Sequence, residues 1–295
     1  MGEAVTPDPG IERVGVIGAG AMGHGIAQVA AMAGYEVRIY DVEERFLERA
    51  LKRIRSNLDE GVERGKVESG ARDAALQRIT LTVHLGEAAA GADMVIEAVP
   101  EDLMLKREIF RELEGATPDD AVLATNTSSL SVTRIAEAVT DPSRFVGMHF
   151  FNPVHIMKLL EIVRGERTSD ETIVRAKAAG LAMRKVPIVV KDSPGFASSR
   201  LGVILGLEAM RMLEEGVASA EAIDTAMELG YRHPMGPLRL SDIVGLDVRL
   251  SIAEYLHREL DDGRFAPPPI LRRKVEEGKL GRKTGQGFYT WDNED

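Results

Sequence analysis

The chain has no cysteine, a single tryptophan and only 5% aromatic residues. Without thiols there is no disulfide framework, no cysteine nucleophile and no cysteine-bound zinc, and such a chain suits a reducing compartment. Positive charge is also in deficit: 37 Lys and Arg against 47 Asp and Glu leave a formal net charge of -10. That balance argues against a nucleic-acid scaffold, while a local basic patch can still meet a small anion. No stretch approaches the roughly 18 consecutive apolar residues of a membrane helix. Residues 1–10 hold two acids and two prolines, with no apolar core of the kind a secretory signal carries. The six histidines show no H-E-x-x-H spacing, so no metal site is expected. These absences describe a cytoplasmic protein with neither a membrane nor a nucleic acid as partner.

What is present begins with an apolar run at 13–17, followed at once by Gly18-Ala19-Gly20-Ala21-Met22-Gly23. A helical stretch over 26–33 closes at Gly34, and a second strand over 36–40 ends in Asp41. Strand, glycine loop, helix, strand and acid is the context that turns a bare G-x-G-x-x-G into a dinucleotide site. Gly18 permits the tight turn, Gly20 lets backbone approach a pyrophosphate, and Gly23 lets helix and strand pack closely. Asp41 is placed to accept hydrogen bonds from the adenosine ribose and to repel a 2′-phosphate, which favours NAD over NADP.

A polar helix over 43–64, with apolar residues at helical spacing, and a second helical piece over 71–77 form an excursion from the sheet. Strands over 79–85, 94–99, 121–125 and 145–149 then alternate with helices over 100–113 and 132–139. The expected fold is α/β: a Rossmann-type doubly wound sheet over 1–191 with a helical hairpin excursion. Beyond Asp192-Ser193-Pro194-Gly195 strand signals vanish, so 192–295 are expected to form a smaller all-α domain. Its first helix, 196–215, is apolar on more than one face, which suits a subunit interface.

By the switch-point rule, the site lies at the carboxyl ends of the strands. Asp41, Glu101, the Asn126-Thr127-Ser128-Ser129 turn and His149 all fall there. The runs 145–149 and 159–163 are joined by a loop that Pro153 keeps out of helix. If they fold back on one another, His149 and Glu161 become neighbours. Glu161 sits within Leu-Leu-Glu-Ile-Val, where a charge needs a partner. With a nicotinamide in the crevice, His149 suits the general base, Glu161 the carboxylate that orients it, and Ser128 a donor to the substrate oxygen. A Ser/His/Asp hydrolase is the other reading of these residue types, but no G-x-S-x-G elbow is present.

Six segments in order, at 18–23, 126–130, 149–153, 192–196, 234–237 and 283–289, resemble the 3-hydroxyacyl-CoA dehydrogenase family, in size its short-chain 3-hydroxybutyryl-CoA branch. The resemblance implies reversible, NAD-dependent oxidation of an (S)-3-hydroxyacyl-CoA to its 3-oxo form, with His149, Glu161 and Ser128 in the roles above. It implies NAD contacts from Glu101, Lys106 and Lys283, a contact near the nicotinamide from Asn152, and coenzyme A beside Asn57 and Arg64. It also implies a homodimer through the helical domain. Ser199 stands where the family usually has an Asn that touches substrate; a serine is shorter and lacks the amide's two donors. A gulonate-type sugar or hydroxy-acid dehydrogenase, and a non-catalytic crystallin-like NAD binder, are the rival expectations.

Overall fold

The structure, a computed structural model, describes residues 10–291. The secretory-signal reading of residues 1–10 therefore concerns, apart from Gly10, residues outside those described. The chain divides into two units, the first ending at Asp192 and the second starting at Ser193; each is taken by itself.

The first unit is built on one sheet whose strands are β1 (Arg13–Ile17), β2 (Glu36–Tyr40), β3 (Ile79–Thr82), β4 (Met94–Glu97), β5 (Val122–Thr125), β6 (Phe145–Phe150), β7 (Leu159–Arg164) and β8 (Val186–Lys191). Their order is β3-β2-β1-β4-β5-β6-β7-β8. From β3 to β6 all pairings are parallel, and the order reverses between β1 and β4, which makes that gap the topological switch point. Strands β4 and β5 are buried at every position, as expected for a sheet covered on both faces. The parallel pattern breaks at β7, which runs antiparallel to β6, and β8 then pairs parallel to β7. Physical length explains the break: the connection over 151–158 is too short for the crossover of a dozen or more residues that a parallel return needs.

The helices of this unit are α1 (Gly23–Met32), α2 (Glu44–Glu63), α3 (Ser69–Gln77), α4 (Leu85–Ala89), α5 (Leu103–Ala116), α6 (Val132–Ala136) and α7 (Asp170–Ala182). Helix α5 starts later than its sequence suggests, because Asp102 caps it by accepting the Leu105 N–H at 2.9 Å. Helix α4 occupies the end of what reads as one long strand over 79–85. In the excursion, Leu47, Ala50, Ile54 and Leu58 form a buried stripe on α2 that joins the main core with residues of α1. The excursion thus packs one face of α2 into the main core.

The second unit contains α8 (Ser198–Glu214), α9 (Ala220–Tyr231), α10 (Pro237–Val244), α11 (Leu246–Leu260) and α12 (Pro269–Glu276), with no strand among its described residues outside isolated bridges. Its core gathers Val203, Leu207, Met210, Leu238, Leu246 and Leu256. Helices α10 and α12 are absent from the sequence reading because both open on proline, which marks a turn and equally well the first helical position. Among the described residues, no helix is long and apolar enough to cross a membrane.

Candidate active site

The glycine loop follows β1 at the switch point. Gly18 has φ 100°, and its N–H reaches the Tyr40 carbonyl at 2.8 Å. A Cβ there would stand 2.8 Å from the Ala98 oxygen, and one at Gly23 would collide with the Gly18 carbonyl. A Cβ at Gly20 would meet nothing within 4 Å, so the backbone there faces open space that a pyrophosphate can approach. Helix α1 begins at Gly23 with no acid in its first turn, leaving its amino end suited to an anion. Ala19, Ala21 and Met22 complete the turn. Asp41 Oδ2 accepts the Ala19 N–H at 2.8 Å and Oδ1 the Val42 N–H at 2.8 Å. These two bonds hold the carboxylate between the loop and the end of β2, with lone pairs to spare. The neighbouring cation, Arg45, is engaged by Glu43 at 2.8 Å.

Four strands away from β2, His149 and Glu161 stand directly opposite one another across the β6–β7 pair. His149 Nδ1 lies 2.8 Å from Glu161 Oε2, and the side chains are 4% and 0% exposed as residues. A carboxylate so placed holds the proton on Nδ1, which makes Nε2 the basic nitrogen of the neutral ring and steadies the imidazolium after it gains a proton. The His149 ring packs on Phe151 with centroids 4.4 Å apart, so both its tilt and its tautomer are constrained. Asn152 follows at once, exposed and joined to Pro153 by a cis peptide bond.

The turn after β5 is held from two sides. Asn126 Oδ1 accepts the Phe150 N–H at 3.0 Å, tying the turn to the residue after His149. Glu101 Oε1 accepts from Thr127 Oγ1 at 2.6 Å, Ser128 N at 3.0 Å and Ser129 Oγ at 3.1 Å. Partial burial works to raise the Glu101 carboxyl, but the nearby Lys106 ammonium and these hydrogen bonds outweigh it and hold it below the ordinary carboxylate range. Ser128 remains exposed at the rim.

Lys106 differs from the expectation of a direct cofactor contact. It is wholly buried, and its ammonium lies 2.6 Å from Glu97 Oε1 and 3.3 Å from the Asn126 carbonyl. It therefore acts from beneath the turn. Glu97 also accepts from Thr125 Oγ1 at 2.6 Å and Val99 N at 2.7 Å, while burial pushes its carboxyl up against the pull of Lys106. Asn126, Thr127 and Glu97 as structural supports were not foreseen. Glu97 carried a signal, an acid inside an apolar strand, of the kind that singled out Glu161.

A cavity of about 470 Å³ in the first unit is lined by Asn57, Arg64, Lys66, His155, Lys158 and Lys185, with apolar side chains of α1 and α2 between them. Asn57 Nδ2 donates to Gln28 Oε1 at 3.0 Å, and Arg64 is paired with Glu60. In the second unit, Ser199 lies half-buried in the first turn of α8. Lys283 is bound to Asp247 at 2.6 Å. The glycine-rich tail around it folds on a carboxylate of the protein itself: Asp242 accepts the Phe288 N–H, the Tyr289 N–H and Trp291 Nε1–H, each at 2.9 Å.

Comparison with known proteins gives this geometry its context. Residues 13–193 match the family model described as 3-hydroxyacyl-CoA dehydrogenase, NAD binding domain, and residues 195–291 match that described as 3-hydroxyacyl-CoA dehydrogenase, C-terminal domain. A 3-hydroxybutyryl-CoA dehydrogenase of Mycobacterium tuberculosis is 44% identical over 95% of this chain and 99% of its own. One of Bradyrhizobium diazoefficiens is 44% identical over 95% and 96%. The solved structure of an (S)-3-hydroxybutyryl-CoA dehydrogenase from Ralstonia eutropha superposes with a TM-score of 0.93 at 40% identity, covering 96% of this chain and 100% of that one.

Proposed function

The chain belongs to the 3-hydroxyacyl-CoA dehydrogenase family, and on that premise we propose that it oxidises the 3-hydroxyl of a short (S)-3-hydroxyacyl-CoA to the 3-oxo thioester, reversibly, with NAD. The observation that carries the proton-transfer assignment is the 2.8 Å contact of His149 Nδ1 with Glu161 at the carboxyl end of β6. His149 takes the hydroxyl proton on Nε2 as the hydroxyl carbon is oxidised, and Glu161 stabilises the imidazolium. Ser128 offers its hydroxyl to the substrate oxygen, which polarises the carbonyl in the reverse direction. Glu101 and Lys106 hold the turn that presents Ser128.

The residues at the switch point fit NAD: the open backbone at Gly20, the amino end of α1 with no acid in its first turn, and the Asp41 carboxylate, with Arg45 engaged by Glu43. When bound, NAD supplies the hydride acceptor. We assign Asn152 to its nicotinamide end and Lys283 to a contact reached from the tail. The cavity beside Asn57 and Arg64 suits coenzyme A, since cations at its rim meet phosphate and its apolar wall meets the pantetheine arm. We assign Ser199 to the acyl group.

Homodimerisation through the second unit has its own support. Leu201 and Leu205 on α8 are 63% and 41% exposed. Sedimentation of Leu201→Glu against wild type tests this: the dimer should dissociate, and an unchanged dimer would place the interface elsewhere. A cytoplasmic location suits a chain without cysteine.

The substrate reading is tested by NADH formation with (S)-3-hydroxybutyryl-CoA against free 3-hydroxybutyrate. Turnover of the thioester alone supports it. Turnover of the free acid, with none of the thioester, would replace it with a hydroxy-acid dehydrogenase.

A further inference from the structure

Lys185 has no place in the chemistry described so far, yet it is a cation buried beside the site. It follows Arg184, whose φ of 58° closes α7, and immediately precedes β8. Only 6% of it is exposed. Its ammonium donates to two backbone carbonyls, those of Val154 and Met157, the second at 2.9 Å. No carboxylate among the described residues pairs with it, and burial alone pulls its pKa down to about 8.

Both carbonyls belong to the connection between β6 and β7. That segment turns on Pro153, whose carbonyl takes the Ile156 and Met157 N–H groups at 3.0 and 2.9 Å. The carbonyls of Val154 and Met157 are left for Lys185. Val154 is itself buried, packed so closely on Gly25 of α1 that a Cβ there would stand 2.8 Å from Val154 Cβ. Within the segment, Asn152 lies three residues after His149, and its last residue, Lys158, three before Glu161. Its outer side, including His155, Ile156 and Met157, lines the cavity.

We propose that Lys185 is a positioning residue for the reaction: through the Val154 and Met157 carbonyls its buried ammonium fixes the β6–β7 connection, and so sets where Asn152, three residues beyond His149, stands and where the cavity wall meets the thioester. The assignment rests on the function proposed above. An ammonium suits the task because it supplies several donors from one compact point, and a misplacement of about 1 Å in such a site costs on the order of 10²-fold in rate.

Charge enters as well. The groups around Lys185 in the cavity are His155 and Lys158 on the segment, Arg184 beside it, and Glu60, Arg64 and Lys66 opposite. Below about pH 8 the clamp is charge-assisted; above it a neutral amine remains. Stability runs the other way. Because the folded pKa lies below the ordinary 10.5, the unfolded chain holds more protons between those values, so this group's contribution to stability rises with pH there. A loss of activity in that window is therefore not unfolding caused by Lys185.

The test compares wild type, Lys185→Met and Lys185→Arg on acetoacetyl-CoA and on acetoacetyl-N-acetylcysteamine, which lacks the nucleotide. Amide hydrogen exchange is followed over residues 154–158. Lys185→Met should lower kcat/KM about 10²-fold on both thioesters and speed exchange over the segment. Lys185→Arg, which keeps the charge, should recover most of the rate and lose the decline above pH 8. Wild-type rates and exchange in Lys185→Met would overturn the proposal. So would a loss confined to the full CoA thioester, which would make Lys185 a nucleotide contact. If wild type turns over neither thioester, the function reading fails, and exchange over 154–158 still decides what Lys185 holds.

Discussion

Glu161 faces His149 across an antiparallel pair of strands, with Oε2 2.8 Å from Nδ1 and both residues buried. One β-turnback thus converts a sequence separation of 12 into a hydrogen bond, and the sheet fixes its length. Replacing Glu161 by Gln keeps the volume and removes the charge that, in the proposed role, steadies the imidazolium. Glu161→Gln should lower kcat by about 10²-fold with little change in KM. Steady-state kinetics check this, and an unchanged kcat would reduce Glu161 to a packing residue.

Lys106 and Glu97 form a pair in which neither side chain is exposed. Removing one partner strands the other, at a cost of about 3–5 kcal/mol. Lys106→Met should show that loss in urea unfolding, and Glu97→Gln added to it should recover part. A neutral effect of the single change would mean that Glu97 is already protonated.

The two acids under the site were not equally legible. Glu161 was singled out because a charge in an apolar strand demands a partner, and the histidine lay on the strand that folds back to it. Glu97 sits in Met-Val-Ile-Glu under the same demand, but its partner Lys106 comes from a helix, and periodicity does not give the inward turn of a lysine. The glycine loop and the strand order were readable because φ and close packing restrict residue choice there. The cavity wall at Lys185 was not, since a lone lysine before a strand resembles any surface lysine. Helices α10 and α12 were hidden by their leading prolines.

Glu101 is held below the ordinary carboxylate range, so it contributes stability above about pH 4.5, the ordinary value, and loses that contribution as pH falls through the lower folded value. Glu101→Gln should therefore lose less stability than wild type on acidification below that point. It should also lower kcat, because the turn bearing Ser128 loses its acceptor. Thermal unfolding across pH 3–6 checks the first; parallel acid curves would show that the carboxylate is not engaged.

Asp41 is tied to the Ala19 and Val42 N–H groups, each at 2.8 Å, which aims the carboxylate at the end of β2. Asp41→Ala should weaken NAD binding about tenfold, or roughly 1.4 kcal/mol, and weaken NADP less. Titration of both cofactors by calorimetry gives the ranking. A larger loss for NADP would reverse the ribose assignment.

The central claim is that His149 moves the proton of a CoA-thioester oxidoreduction that depends on NAD. Acetoacetyl-CoA-dependent NADH oxidation by wild type and His149→Gln, with NADH binding followed by its fluorescence, tests it most directly. The expected result is turnover by wild type, a loss of on the order of 10²-fold or more in the variant, and NADH binding retained in both. Equal turnover by the two proteins, or none by wild type, would contradict it.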